Sequence, residues 1–383
     1  MHVQVGVGYS LLPNSQEAAK EAARLAVAQS GPPVLTFLFT TERYNQTEIL
    51  EAVIAETGTP KLVGASGAGI VTVEGIKKHG VGVVTIAGEG ITAETALVEM
   101  LPDRADETGR KLAEKLLRGS APDEGTVFVF PDGLSGNIAR MLRGIYDVLG
   151  PQFKYAGGGT GDNMRFLRTY QMTETGVASG AVAAALVAGC SFATGIGHGW
   201  EPFGSPLLIT RARGKIVFEI DEQPAFQVYS RRLEGITSEE FPFCAVRYPL
   251  GIPDITGKFI IRDPFKLGAD GSIEFVTEVP PRAVAYLMRY TRVENLLQTA
   301  LGATMQAQKT VRTPQFALIF NCVSRAELMG EHANREVEII RNTLGGLPMA
   351  GFLTFGEVGS YGSGVPLFHN KTFLIAVGGT SLL

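Results

Sequence analysis

The residue types able to do chemistry gather near the C-terminal end, in three short segments. Asn321-Cys322-Val323-Ser324-Arg325 follows the apolar run Phe316 to Phe320; Gly351-Phe352-Leu353-Thr354-Phe355-Gly356-Glu357 follows a helical stretch; His369-Asn370-Lys371-Thr372 precedes the last apolar run. Arg325 offers a planar fork to a carboxylate and Glu357 an acceptor for an ammonium group, a combination that suits a zwitterion. The same pair would equally serve as a buried tie between neighbouring loops. Asn370 and Thr372 read as backbone caps or as ligand contacts, and Cys322 as a small core residue or as a nucleophile. For catalysis, Cys322 with His369, or His332 with Glu357, would have to be brought together by the fold.

Other candidates are weaker. His198, in Gly195-Ile196-Gly197-His198-Gly199-Trp200, has no second ligand at a metal-binding spacing. The run Gly157-Gly158-Gly159-Thr160-Gly161-Asp162 lacks the Gly-Lys-Ser/Thr of a phosphate loop. Asp132 and Asp162 stand at strand ends, where both sites and turns are built. Three widely spaced cysteines, Cys190, Cys244 and Cys322, spell neither a disulfide framework nor a Cys-x-x-Cys metal site, which suits a reducing cytoplasm. A formal charge of -4, with the charges scattered singly, predicts no nucleic-acid partner. No cofactor is expected.

These segments belong to the third of three stretches with one plan. Each opens with an apolar run (Val34 to Phe39, Thr126 to Phe130, Phe316 to Phe320) and continues through a helix-like segment to a glycine-rich run. The spacing from run to aligned glycine is 30, 31 and 35 residues, counting Val34 to Gly64, Thr126 to Gly157 and Phe316 to Gly351. A further apolar strand closes each copy. The pattern predicts an α/β fold of repeated β-α-β-β units forming layered sheets with helices outside. Strands without polar alternation need cover on both faces, as two sheets face to face or one sheet between helices would give.

Helices are expected over a segment capped by Asn14 or Ser15, over Thr47 to Ile54, Gly136 to Leu149, Pro281 to about Gln308, and Glu331 to Leu344. A different block separates the second and third repeats: a hairpin over Leu207 to Ile220, a helix from Pro224, and a hairpin pair of Gly257 to Ile261 with Ser272 to Val276. The chain is divided near residue 222. No basic and apolar leader opens it, and the uncharged segment Thr175 to Trp200 reads as buried strand rather than membrane span, its many glycines being poor for a helix.

Taken together, the segments around Cys322, Gly351 to Glu357 and Asn370 resemble the signature of FIST domains. The earlier Leu62 to Ile70 and Gly80 to Val83 resemble the N-terminal domain of that family. Residues 1–222 would then be the FIST N-terminal domain and 223–383 the FIST C-terminal domain. Ile70 departs from the acid the family commonly carries there. The resemblance implies a sensory module of intracellular signal transduction that binds a small polar ligand, amino acids being the candidates. It would have no output domain of its own, a separate signalling protein as partner and no membrane insertion. The ligand-binding candidates are Arg325, Glu357, Asn370, Asn321, Cys322 and Thr354. A hydrolase or transferase using Cys322, and an interaction scaffold, are the competing readings.

Overall fold

The computed structural model describes residues 3–119, 122–361 and 364–380. Three units of one topology run through it. The first comprises β1 (Gln4–Ser10), α1 (Ser15–Ser30), β2 (Leu35–Thr41), α2 (Gln46–Thr57), β3 (Leu62–Gly67), the hairpin β4 (Ile70–Thr72) and β5 (Gly75–Lys77), and β6 (Val81–Ala87). The second repeats it: β7 (Thr92–Glu99), α3 (Ala105–Leu116), β8 (Gly125–Pro131), α4 (Ile138–Leu149), β9 (Phe153–Gly158), β10 (Gln171–Thr173), β11 (Gly176–Ala178) and β12 (Ala181–Ala188).

The third unit starts with β13 (Ser191–Gly197) and is then interrupted. The insertion holds β14 (Glu201–Arg213), β15 (Ile216–Ile220), β16 (Gln223–Pro224), α5 (Ala225–Arg232), α6 (Phe241–Arg247), β17 (Leu250–Pro253), β18 (Phe259–Arg262), β19 (Pro264–Leu267), β20 (Ile273–Phe275) and β21 (Val284–Arg289). The unit resumes with α7 (Val293–Thr310), β22 (Thr313–Cys322), α8 (Val323–Met329), α9 (Ala333–Thr343), β23 (Met349–Thr354), β24 (Glu357–Gly359), β25 (Leu367–His369) and β26 (Phe373–Thr380). The mixed α/β class matches the expectation. The repeat is longer than β-α-β-β, because each unit gains a preceding strand and helix and a hairpin too short to show a period.

Each unit builds one sheet, and each borrows its last two strands from another unit. The orders are β1-β6-β2-β3-β10-β11, β7-β12-β8-β9-β24-β25 and β13-β26-β22-β23-β4-β5. In every sheet the two central strands are parallel, as a helical crossover requires, and their registers coincide: Leu38 pairs with Gly64, Val129 with Gly157 and Ile319 with Gly351. The three glycines aligned in the sequence are therefore one structural position. A Cβ on Gly157 would stand 2.2 Å from the Val129 carbonyl oxygen, and one on Gly351 1.8 Å from that of Ile319.

The apolar strands find cover on both faces in a way neither expected arrangement provides. Three sheets turn their inner faces to a common core, and helices pack outside each. At its centre the equivalent Phe39, Phe130 and Phe320 touch pairwise, with ring centroids 6.1, 5.8 and 6.4 Å apart around the triangle. Such contacts favour edge-on or tilted rings, and truncating one ring to alanine would cost about 3–5 kcal/mol. Alternate residues, such as Leu38, Val129 and Ile319, point outward to the helices.

Two expectations are corrected. The long helix from Pro281 does not form: Val284–Arg289 is strand β21, paired with β14 and β17, and α7 begins at Val293. Ala285 and Leu287 are buried with alternating neighbours, a strand period that the helical spacing of Ala283, Leu287 and Tyr290 concealed. The strands near Ile261 and Ser272 do not pair with each other either; β18 pairs with β17, and β20 with β19 and β15. The segment Thr175 to Trp200 is β11, β12 and β13, as expected of a buried region, and no helix among the described residues is long and apolar enough to cross a membrane.

Candidate functional site

The insertion sits against the strand ends of the second and third units, and a cavity of about 480 Å³ lies in the joint. Its floor is built by the third unit: Cys322 ends β22, Ser324 lies in the first turn of α8, Gly356 turns β23 into β24, and Asn370 and Lys371 turn β25 into β26. The insertion supplies Asp263 from the β18–β19 turn, Phe265 from β19, Val246 from α6, and Lys215 and Glu274. Met164 and Phe166, between β9 and β10, form the remaining wall. Phe166 stacks on Phe355 at 5.3 Å and approaches Phe265 at 5.6 Å, so one apolar wall is continuous across all three contributors.

Lys371 is the deepest cation. Its side chain is 0% exposed, and Nζ lies 3.0 Å from Asp263 Oδ2 at an angle short of a hydrogen bond, and 5.5 Å from the Trp200 ring centre. The tight turn holds Lys371 at φ +53°, an unusual conformation for a side chain of its size. Burial raises the Asp263 carboxyl above its ordinary value, and the lysine's charge opposes that rise. Asn370 accepts a hydrogen bond from Thr277 Oγ1 at 2.7 Å, tying the floor to the insertion.

Behind the floor lies Glu357, wholly buried. Its carboxylate accepts hydrogen bonds from Thr354 Oγ1 at 2.5 Å and from the Thr372 amide at 3.1 Å. Burial pushes its proton affinity up, against those hydrogen bonds and the Arg325 charge. The Cys322 thiol, 3.1 Å from Ser324 Oγ, is also driven up, first by burial and then by the neighbouring Glu357. Both causes favour the thiol over the thiolate.

The register places Ile70, Gln171 and Glu357 at one position in the three units, each opening a borrowed hairpin opposite Phe352, Ala65 and Gly158. Gln171 repeats the acid's contacts, donating to Thr160 Oγ1 and accepting from the Ala181 amide, while Ile70 is buried. Only the third unit therefore carries a titratable group there.

The candidates named from sequence divide. Cys322 and Asn370 line the cavity; Glu357 and Thr354 lie directly behind it. Arg325 and Asn321 lie apart, in a buried clamp. Arg325 pairs with Glu336 and donates to the carbonyl oxygens of His198 at 2.5 Å and Leu296 at 3.3 Å, while Asn321 bridges Arg325 and Glu336. His369 Nε2 donates to the Gly359 carbonyl oxygen at 3.1 Å, burial lowers its pKa to about 3, and among the described residues no histidine hydrogen-bonds Cys322. His332 is exposed on another face. Asp162 accepts from the amides of Phe166, Leu167 and Arg168, and Asp132 from Leu134 and Thr169; both organise turns. In the second glycine run, the amides of Gly159 and Gly161 are committed to Gly356 and Ser66, which leaves no phosphate cradle there.

Sequence reasoning missed Lys371, Asp263, Ser324 and Phe166. Lys371 carried a signal: a lone lysine directly before the apolar run Phe373 to Val377 has little solvent to reach. Asp263 read as a turn former, and nothing local tells a turn on the surface from one folded against another unit.

Models of the FIST N domain and the FIST C domain match residues 34–223 and 225–360. The chain belongs to the FIST family. FIST domains are associated with sensory signal transduction. The chain is similar to an uncharacterized protein of Mycobacterium bovis, 27% identical over 389 residues covering 93% of this chain and 94% of that one. It is also similar to an uncharacterized protein of Mycobacterium tuberculosis, 24% identical over 372 residues covering 93% and 95%. Among solved structures, a cyanuric acid hydrolase from A. caulinodans aligns with a TM-score of 0.29 at 12% identity, over 49% of this FIST chain and 71% of that one, too distant to carry an argument.

Proposed function

We propose that this FIST protein is a sensor that binds a small zwitterion, with an amino acid bearing a large apolar side chain as the best fit, in the joint between the insertion and the third unit. The observation that carries this reading is the composition of the cavity. Buried Lys371 and partly buried Asp263 present both signs of charge beside the hydrogen-bonding groups of Ser324 and Asn370, and the remaining wall is the apolar surface of Phe166, Phe265 and Val246. Ligand sites combine a mostly apolar lining with a few fixed polar groups, and about 480 Å³ is ample for such a molecule. Because its walls come from separate parts of the fold, a ligand that bridges them would favour one relative placement of insertion and core, which is what a sensor has to report to a partner.

Isothermal titration of the purified protein with a panel of amino acids tests this. Binding of an apolar amino acid that is lost in Lys371→Met and weakened in Ser324→Ala supports the reading. Binding that is indifferent to both substitutions, or no binding across the panel by a folded protein, sinks it. A Cys322-dependent hydrolase has less support, since burial and the Glu357 carboxylate both disfavour the thiolate and, among the described residues, no histidine hydrogen-bonds the thiol.

A further inference from the structure

A second cavity, of about 320 Å³, lies where the second unit meets the third, with a lining that shares no residue with the cavity described above. Lys154, Lys258, Thr194, Gln306 and Thr310 are among the residues that line it, and among the described residues no Asp or Glu does. Lys258 lies over the ring of Tyr361, with Nζ 4.7 Å from its centre, and Lys154 Nζ reaches the Phe192 carbonyl oxygen at 2.8 Å.

The repeat supplies an internal comparison. Lys154 stands three residues before Gly157, as Lys61 stands three before Gly64, so the two lysines are equivalent. At the first junction Lys61 meets two carboxylates from the second unit: Glu94 Oε2 at 2.8 Å and Glu174 Oε1 at 3.7 Å. Thr95 donates to Glu174 at 2.7 Å. The same registers carry these positions to the second junction. Glu94 becomes Ala193, two residues before Gly195 as Glu94 is before Ala96, and Glu174 becomes Ser360, two after Val358 as Glu174 is after Met172. Thr95 remains a threonine, Thr194. All three lie in the lining of the cavity.

We infer that the cavity at the second junction binds a small dicarboxylate, whose two carboxylates take the places that Glu94 and Glu174 occupy at the first. Lys154 keeps the role of Lys61, Thr194 that of Thr95, and Lys258, brought in by the insertion, adds a second cation. Two ammonium groups and the Thr194 hydroxyl, in a lining without acidic side chains among the described residues, match such an anion in charge and in hydrogen bonding.

The test is titration calorimetry of the full chain with succinate, and with inorganic phosphate at equal ionic strength. Succinate should bind, and Lys154→Ala and Lys258→Ala should each weaken it by about tenfold or more. The double variant Ala193→Glu/Ser360→Glu, which restores the chain's own carboxylates, should abolish binding while melting no lower than the parent. No succinate binding, equal binding by the double variant, or tighter binding of phosphate than of succinate overturns the inference. Amino-acid binding at the other cavity is read separately with Lys371→Met, so the two ideas stand or fall independently.

Discussion

Lys371 Nζ and Asp263 Oδ2 lie 3.0 Å apart, one from the last turn of the third unit and the other from the insertion, with the lysine wholly enclosed. A charge pair across a joint is strongest in effect when broken, because the survivor is left buried and alone. Lys371→Met should therefore destabilise by about 3–5 kcal/mol near neutral pH. The loss should shrink on moderate acidification, since Asp263 already holds its proton more tightly than an ordinary carboxyl and would neutralise itself. Urea unfolding of the variant at two pH values checks this; a cost independent of pH would exclude an uncompensated Asp263 as its source.

Glu357 gives a pH dependence of fixed sign. Its proton affinity is higher in the folded chain than its ordinary value of 4.5, so the folded state binds the extra proton. The stability it contributes is complete below 4.5 and is lost as pH rises through the raised folded value. Glu357→Gln should abolish that alkaline-side decline, as Gln171 already holds the same position without titrating. His369 acts oppositely: with its folded value lowered to about 3, stability is present above the ordinary 6.5 and falls as pH drops toward 3. Melting curves from pH 4 to about 9 on parent and variant separate the two.

The Arg325 clamp makes a third prediction. Removing one partner, as in Arg325→Met or Glu336→Gln, should cost about 3–5 kcal/mol, whereas replacing both with apolar residues of similar volume should recover much of it. A double-mutant cycle by chemical denaturation measures the coupling. A coupling near zero would mean that the backbone contacts to His198 and Leu296, not the ion pair, hold the clamp.

Glycines give a prediction in both directions. Gly351→Ala would drive a methyl into the Ile319 carbonyl and force the parallel strands apart, so it should unfold the third unit or cost more than about 3 kcal/mol. Gly302, exposed in α7 with open space around it, should instead gain about 0.5–1 kcal/mol on substitution by alanine. Thermal unfolding of the two variants should move in opposite directions.

How much of this was legible can be seen residue by residue. The aligned glycines and the apolar runs announced the repeat because backbone crowding and double-sided burial act on every copy alike. Asn14 announced its helix by local chemistry, its side chain capping the first turn, whereas the equivalent cap at Asn45 shows only in the structure. Arg325 was misplaced because an arginine that pairs with Glu336 and one that faces a ligand look identical until the third dimension selects the partner. The cavity itself depends on where the insertion docks, and no local pattern records a contact between Asp263 and Lys371, far apart in the chain. The helix expected from Pro281 failed for a related reason: the spacing of Ala283, Leu287 and Tyr290 fits two periods, and pairing with β14 decided between them.

The borrowed hairpins tie the order of synthesis to the order of folding. The first sheet cannot be finished until β10 and β11 of the second unit exist, and the second waits for β24 and β25. The first unit's own hairpin, made early, finds its place only beside β23, near the chain's end. The sheet-completing contacts are thus distant in sequence, which slows folding and leaves the early strands with open edges while they wait.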